Sequence, residues 1–246
     1  MKKSGKLYVV GIGPGSYEDM TIRAAKALEE SEILVGYTVY IDLIKEYFPG
    51  KEMLATPMRK EQDRCQLAID QAKMGKTTAM VCSGDSGVYG MSGLILQMAQ
   101  SEEELEIEII PGVTAALSGG AILGAPLGHD FAVISLSDLL TPMELIEDRL
   151  RASAQADMVI CLYNPSSKKR AGYLKRACEI ALEYKSPETI CGFVKNIGRK
   201  EEEMAVMTLE KLRNTQTDMF TTVYIGNSMT TLINGNMVTP RGYKNV

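Results

Sequence analysis

Short apolar runs and helix-like stretches alternate along the whole chain, and that alternation constrains its fold more than any other feature. Strands are predicted over 6–12, 33–35, 78–82, 106–110, 131–135, 157–162, 190–194, 203–208 and 221–225. Helices are predicted over 21–31, 40–47, 61–74, 90–99, 113–123, 143–156, 168–184 and 209–213. Several strand runs are unbroken Val, Ile and Leu, as in strands covered on both faces. Strand followed by helix, repeated, gives an α/β class with crossover connections. Gly75 is placed to close the third helix, and Thr141-Pro142 reads as an N-cap with proline in the first helical position. Gly and Pro cluster at 124–128, which predicts a boundary between two α/β domains, 1–127 and 128–246. The chain has 246 residues, and at roughly 150 residues per domain that length fits two modest domains or one large one. No repeat of fixed period occurs, and the residues from Thr239 onward read as a tail.

Composition narrows the function classes. Net charge is −4, a poor match to the basic footprint that nucleic-acid binding needs. No apolar stretch approaches the roughly 18 residues of a membrane helix. The opening MKKSGKLYVVGIGPG is interrupted by Gly and Pro, so it reads as a first strand and not a signal peptide. The five cysteines, Cys65, Cys82, Cys161, Cys178 and Cys191, are widely spaced, and the single histidine is His129. No zinc or iron–sulfur ligand pattern results, and no intrinsic metal site is expected. An odd set of scattered thiols fits a reducing, cytoplasmic compartment. The 15 methionines serve first as core filler, although a methionine face also suits a large flat ligand.

Six loops directly follow predicted strands. Gly11-Ile12-Gly13-Pro14-Gly15 permits a sharp turn and close ligand approach. It departs from the dinucleotide fingerprint, because its last glycine comes early and Pro14 lacks an N–H. Ser83-Gly84-Asp85-Ser86-Gly87-Val88-Tyr89-Gly90 offers an acid that either accepts bonds from a ribose or amine or caps the next helix. Pro111-Gly112-Val113-Thr114-Ala115-Ala116 offers a hydroxyl beside two small residues. Ser135–Pro142, Leu162–Pro165 and Tyr224–Ser228 follow strands of the second half. Together they predict a cleft between two α/β domains.

The ordered set GIGPGSYEDMT, SGDSGVYG and PGVTAA resembles the tetrapyrrole methylase family, over nearly the whole chain. Gly128-His129-Asp130-Phe131, ISLSDLLTP (134–142), LYNPSSKKR (162–170), VKNIGRKEE (194–202) and VYIGNS are most similar to the branch that methylates C17 of precorrin-3B or cobalt-factor III and contracts the ring. The resemblance implies two α/β domains, a homodimer and S-adenosylmethionine as methyl donor. It places Gly84, Asp85, Val88, Thr114, Ala115, Leu162 or Tyr163, Asn196, Gly226 and Asn227 at the donor. It places Gly13, Pro14 and Gly15 toward the tetrapyrrole. Ser86 stands where many relatives have Pro, which implies a looser turn.

Methyl transfer needs near-attack alignment more than a strong base. Ring contraction must exchange protons, and His129 is the one side chain with an unperturbed pKa near neutrality; as a candidate general acid/base it competes with a packing or capping role. Arg59, Lys60, Arg64, Lys168, Lys169, Arg170, Arg199 and Lys200 are candidates to meet substrate carboxylates, or else solvated surface. Glu201-Glu202-Glu203 reads as a solvated turn. The alternatives are a methylase of another ring carbon or of a protein, and a non-catalytic corrinoid or nucleotide carrier.

Overall fold

The computed structural model describes residues 5–167 and 171–243. The chain forms two compact units, Met1–Ala115 and Ala116–Val246. The division precedes the Gly/Pro cluster, so the helix that leads into that cluster belongs to the second unit.

In the first unit, β1 (Lys6–Gly11), β2 (Ile33–Tyr37), β3 (Glu52–Thr56), β4 (Thr78–Cys82) and β5 (Glu106–Ile110) form one sheet in the order β3-β2-β4-β1-β5. Every pairing is parallel. Alternating side chains feed two cores, which is why these strands read as continuous apolar runs. Leu7, Val9, Met80 and Cys82 pack on α3 (Glu61–Lys73) and α4 (Ser92–Met98). Tyr8, Val10, Ala79 and Val81 pack on α1 (Ile22–Glu30) and α2 (Thr38–Ile44). β3 is not visible as an apolar run. Its sequence, EMLAT, lies at the sheet edge with Glu52 and Ala55 exposed and no residue fully buried.

In the second unit, β7 (Phe131–Ser135), β8 (Val159–Tyr163), β9 (Ile190–Lys195), β10 (Glu203–Thr208) and β11 (Thr221–Ile225) form a mixed sheet in the order β10-β9-β11-β8-β7. β7 and β8 are parallel, whereas β11 runs antiparallel to both β8 and β9. One face is covered by α6 (Met143–Gln155), α7 (Tyr173–Leu182) and α8 (Leu209–Leu212). The other face receives α5 (Ala115–Leu123): a Cβ on Gly119 would meet the Tyr224 hydroxyl at 2.5 Å, and one on Gly192 would meet Leu123 at 3.0 Å. A small sheet of β6 (Gly124–Ala125), β12 (Thr231–Ile233) and β13 (Asn236–Val238) completes the unit. It takes in residues just before the predicted tail.

Gly75 is left-handed (φ +91°) and follows α3, as its position predicts. At α6 the N-cap is Pro142 itself, with an extended ψ of 140°, so the helix begins one residue later than Thr141-Pro142 implies. The predicted helix 168–184 begins on residues outside those described, and α7 starts at Tyr173.

Candidate functional site

β1 and β4 are neighbours, yet the helices that follow them cover opposite faces of the sheet. The chain therefore leaves these neighbouring strands for opposite faces of the sheet. In an open parallel sheet that switch point, at the carboxyl ends of the strands, is where ligands bind.

Four motif glycines from three loops meet there. Beyond β1, Gly13 and Gly84 form an antiparallel bridge, with Gly13 N–H to Gly84 O at 3.1 Å and Gly84 N–H to Gly13 O at 2.7 Å. A Cβ on Gly11 would lie 2.7 Å from Gly112 N and 2.7 Å from Gly84 O; one on Gly112 would lie 2.5 Å from Gly11 O. Main chain from three loops is thus packed without side chains between, and only glycine fits. Gly13 and Gly84 also have positive φ, 78° and 68°. Thr21, at the end of the first motif, caps α1 by accepting from Ala24 N–H at 3.1 Å, and its hydroxyl donates to Pro111 O at 3.3 Å.

Asp85 binds the same junction. Its Oδ1 accepts from Gly87 N–H at 2.8 Å and Val88 N–H at 3.1 Å; its Oδ2 accepts from Gly112 N–H at 2.9 Å. The carboxylate holds the loop in shape and ties it to the loop after β5. Ser86 is fully buried and donates to Ile110 O at 3.1 Å, so this position makes a specific tie and not the looser turn expected. Val88 and Tyr89 remain exposed on the loop. Thr114 lies against Gly84, where a Cβ would meet Thr114 Cα at 3.7 Å.

In the second unit the candidate residues fall into two groups. Tyr163 ends β8, and its phenol oxygen accepts from Ala116 N–H at 2.6 Å, in the first turn of α5. Asn164, left-handed at φ 52°, donates to Ser135 Oγ at 3.0 Å. Asn196 follows β9 at the same end, since Lys195 pairs with Thr221 and Val223 with Leu162. Its φ is 52°, and its side chain donates to Glu201 O at 3.3 Å. Glu202 closes that turn by accepting from Gly198 N–H at 2.7 Å, so the acidic run is partly an organised turn.

Gly226 and Asn227 lie at the other end. β11 is antiparallel, with Ile225 opposite Ile160, which puts these residues roughly 13 Å from Tyr163 along the strands. Sequence alone grouped all strand exits together; an antiparallel strand sends its exit to the opposite edge. The Asn227 side-chain oxygen is occupied by Met229 N–H at 3.0 Å and Thr230 Oγ1 at 3.1 Å. His129 precedes β7 at that same end. It is half-exposed, and its Nδ1 accepts from Asp130 N–H at 2.8 Å. That bond puts the neutral ring's proton on Nε2 and excludes an ion pair through Nδ1 in the same state. Leu162 is fully buried in the core under α6 and α7, so of the Leu162/Tyr163 pair only Tyr163 presents its side chain near α5.

Among the basic candidates, Lys60 pairs with Asp63 at 2.8 Å, and Arg199 stacks on Phe220 at 5.7 Å. Arg64 is buried. Lys168, Lys169 and Arg170 lie outside the described residues. Among the described residues, no group of three or more His, Cys, Asp or Glu side chains is placed to hold a metal ion. Among the described residues no helix is long and apolar enough to cross a membrane. Sequence reasoning missed the direct contact of Gly11 with Gly112 and the anchoring of α5 by Tyr224, whose hydroxyl donates to Ala116 O at 2.9 Å. The recurrence of glycine after three strands was the available signal for the first.

Residues 6–213 match the Tetrapyrrole (Corrin/Porphyrin) Methylases. The chain belongs to that family. Among tetrapyrrole methylases, it is 46% identical to a probable cobalt-factor III C(17)-methyltransferase of Salmonella typhimurium, over 96% of this chain and 99% of that protein. It is 45% identical to the cobalt-factor III methyltransferase of Priestia megaterium, over 98% of this chain. There it spans 45% of the relative's length. The crystal structure of the methyltransferase CobJ superposes with a TM-score of 0.88 at 36% identity, covering 96% of this chain and all of that one. The α/β architecture is therefore that of the tetrapyrrole methylase fold.

Proposed function

We propose that this protein is an S-adenosylmethionine-dependent methyltransferase that methylates C17 of cobalt-factor III or precorrin-3B, with ring contraction, in cobalamin biosynthesis. One observation carries the reading: 46% identity extends over 99% of the Salmonella relative. Because the Priestia relative is more than twice as long, the assignment concerns the reaction of this chain alone.

The first unit fits a methyl donor. Its glycine junction brings three loops together at a topological switch point, and Gly84, whose Cβ would meet nothing closer than 3.7 Å, leaves its own loop open to close approach by a ligand. We assign Gly84, Val88, Thr114 and Ala115 to the donor, with Asp85 fixing their loop, and Gly13, Pro14 and Gly15 to the tetrapyrrole side. From the second unit we assign Tyr163 and Asn196; Gly226 and Asn227 exit at the opposite edge of the sheet and are not assigned to the donor. The donor, when bound, supplies an electrophilic methyl group on a sulfonium. The chain's own work is orientation, which the rigid junction and the anchored first turn of α5 serve. In the neutral His129 ring the proton sits on Nε2, and we assign that atom to proton exchange during contraction.

The test is anaerobic incubation with labelled donor and either tetrapyrrole, followed by mass and NMR analysis of the product. A label at C17 of a contracted ring supports the reading; a label at another carbon overturns it. His129→Ala should still methylate while contraction fails. Contraction at the wild-type rate removes His129 from the mechanism.

A cytoplasmic homodimer belongs to the same reading. It is supported by β12, an edge strand without charge or proline whose Leu232 and Ile233 are both about half exposed. Two neighbouring half-exposed apolar side chains suit cover by a second copy of the chain.

A further inference from the structure

We infer that Arg64 anchors a carboxylate arm of the tetrapyrrole, an inference that rests on the methyltransferase reading above. Arg64 is 4% exposed. Its Nε donates to Thr56 Oγ1 at 2.8 Å and its Nη2 to Pro57 O at 3.1 Å. Its guanidinium carbon stands 5.8 Å from the centre of the Tyr37 ring. All of these partners are neutral, and Nη1 has no hydrogen-bond partner among the described residues. No described Asp or Glu lies within ion-pair distance of it. The nearby acid Asp63 is taken by Lys60.

The other buried cation among the described residues behaves differently. Lys185, 6% exposed, holds Asp157 at 3.2 Å. Burying a charge without a counter-charge is costly, and a guanidinium cannot escape the cost by losing its proton. Hydrogen bonds to a hydroxyl and a carbonyl satisfy two donors and leave the charge uncompensated. An anion from outside completes the arrangement.

The position suits a substrate arm. Tyr37 and Thr56 are register partners at the carboxyl ends of β2 and β3. β2 lies beside β4, with Gly36 opposite Val81, and β4 runs directly into the Gly84 loop. Arg64 therefore occupies the same sheet edge as the glycine junction, about 5 Å per strand away. Tyr37, Thr56 and Pro57 fix the guanidinium plane, which presents a fork to a planar carboxylate. Exposed Arg59 adds positive charge along the same loop.

The experiment uses the full chain, anaerobically, with cobalt-factor III titrated in the absence of donor and S-adenosylhomocysteine titrated separately. Arg64→Gln should weaken tetrapyrrole binding by about 30-fold or more, and Arg64→Lys by about 5- to 10-fold, with S-adenosylhomocysteine affinity unchanged. Wild type should lose affinity for the esterified tetrapyrrole, and Arg64→Gln should discriminate less between ester and acid. Unchanged tetrapyrrole affinity in a folded variant overturns the inference. Parallel loss of both ligands also overturns it, because it marks a structural clamp. If Arg64→Gln does not fold, Arg64→Lys decides by the same two titrations. Wild type that binds but converts neither tetrapyrrole overturns the functional reading instead.

Discussion

At the scale of single residues, small size does as much as chemistry. A methyl at Gly112 would collide with Gly11 O at 2.5 Å, and backbone cannot swing aside as a side chain can. Gly112→Ala should lower unfolding free energy by about 1–3 kcal/mol and weaken donor binding, measured by urea denaturation and calorimetry. Gly93, in α4 with nothing within 4 Å of a Cβ, should respond in the opposite sense, with Gly93→Ala raising stability by about 0.5–1 kcal/mol. Asp85→Ala leaves three loop amides without their acceptor, so donor affinity should fall through disorder of the loop; Asp85→Asn, which keeps an acceptor, should recover part of it. The Arg176 guanidinium, aided by Arg151, holds the Glu147 carboxyl down at about 2, against an ordinary 4.5. Because the folded value is the lower one, this stabilisation is complete above pH 4.5 and fades as pH falls towards 2. Wild type should therefore exceed Glu147→Gln in stability at pH 7, with the gap narrowing across that acid window in urea titrations. Burial pushes Cys65 up to about 11 and Cys82 and Cys191 up to about 12.

At the scale of elements, α5 depends on two tyrosines from neighbouring strands. Tyr163 accepts from Ala116 N–H, and Tyr224 donates to Ala116 O. Tyr224→Phe removes a second bond to the Ala116 carbonyl, which keeps its place in the α5 ladder, and should cost about 0.5–1.5 kcal/mol by thermal or urea unfolding. No sequence signal pointed to this pairing, because Ala116 and Tyr224 are far apart in the chain. The strands with apolar runs were legible; β3 and the β12–β13 hairpin were not. Each of these lies at an edge or in a small sheet, where one side faces solvent and apolar runs are not required.

At the scale of the whole molecule, association is the open quantity that β12 addresses. Leu232→Lys places a charge on the exposed edge, and light scattering should then report a monomer where wild type is a dimer. A wild-type monomer ends the dimer assignment. The sequence by itself determined the α/β class, the alternation of strand and helix, and the three glycine-bearing loops of the first unit. These follow from local periodicity and from backbone freedom, which a chain carries in its own order of residues. Only the tertiary structure decided that Asp85 is spent on its own loop, that Arg64 is buried without an acid, and that Gly226 and Asn227 exit opposite Tyr163. Each of those depends on strand direction or on a partner distant in sequence, and neither is encoded in local pattern.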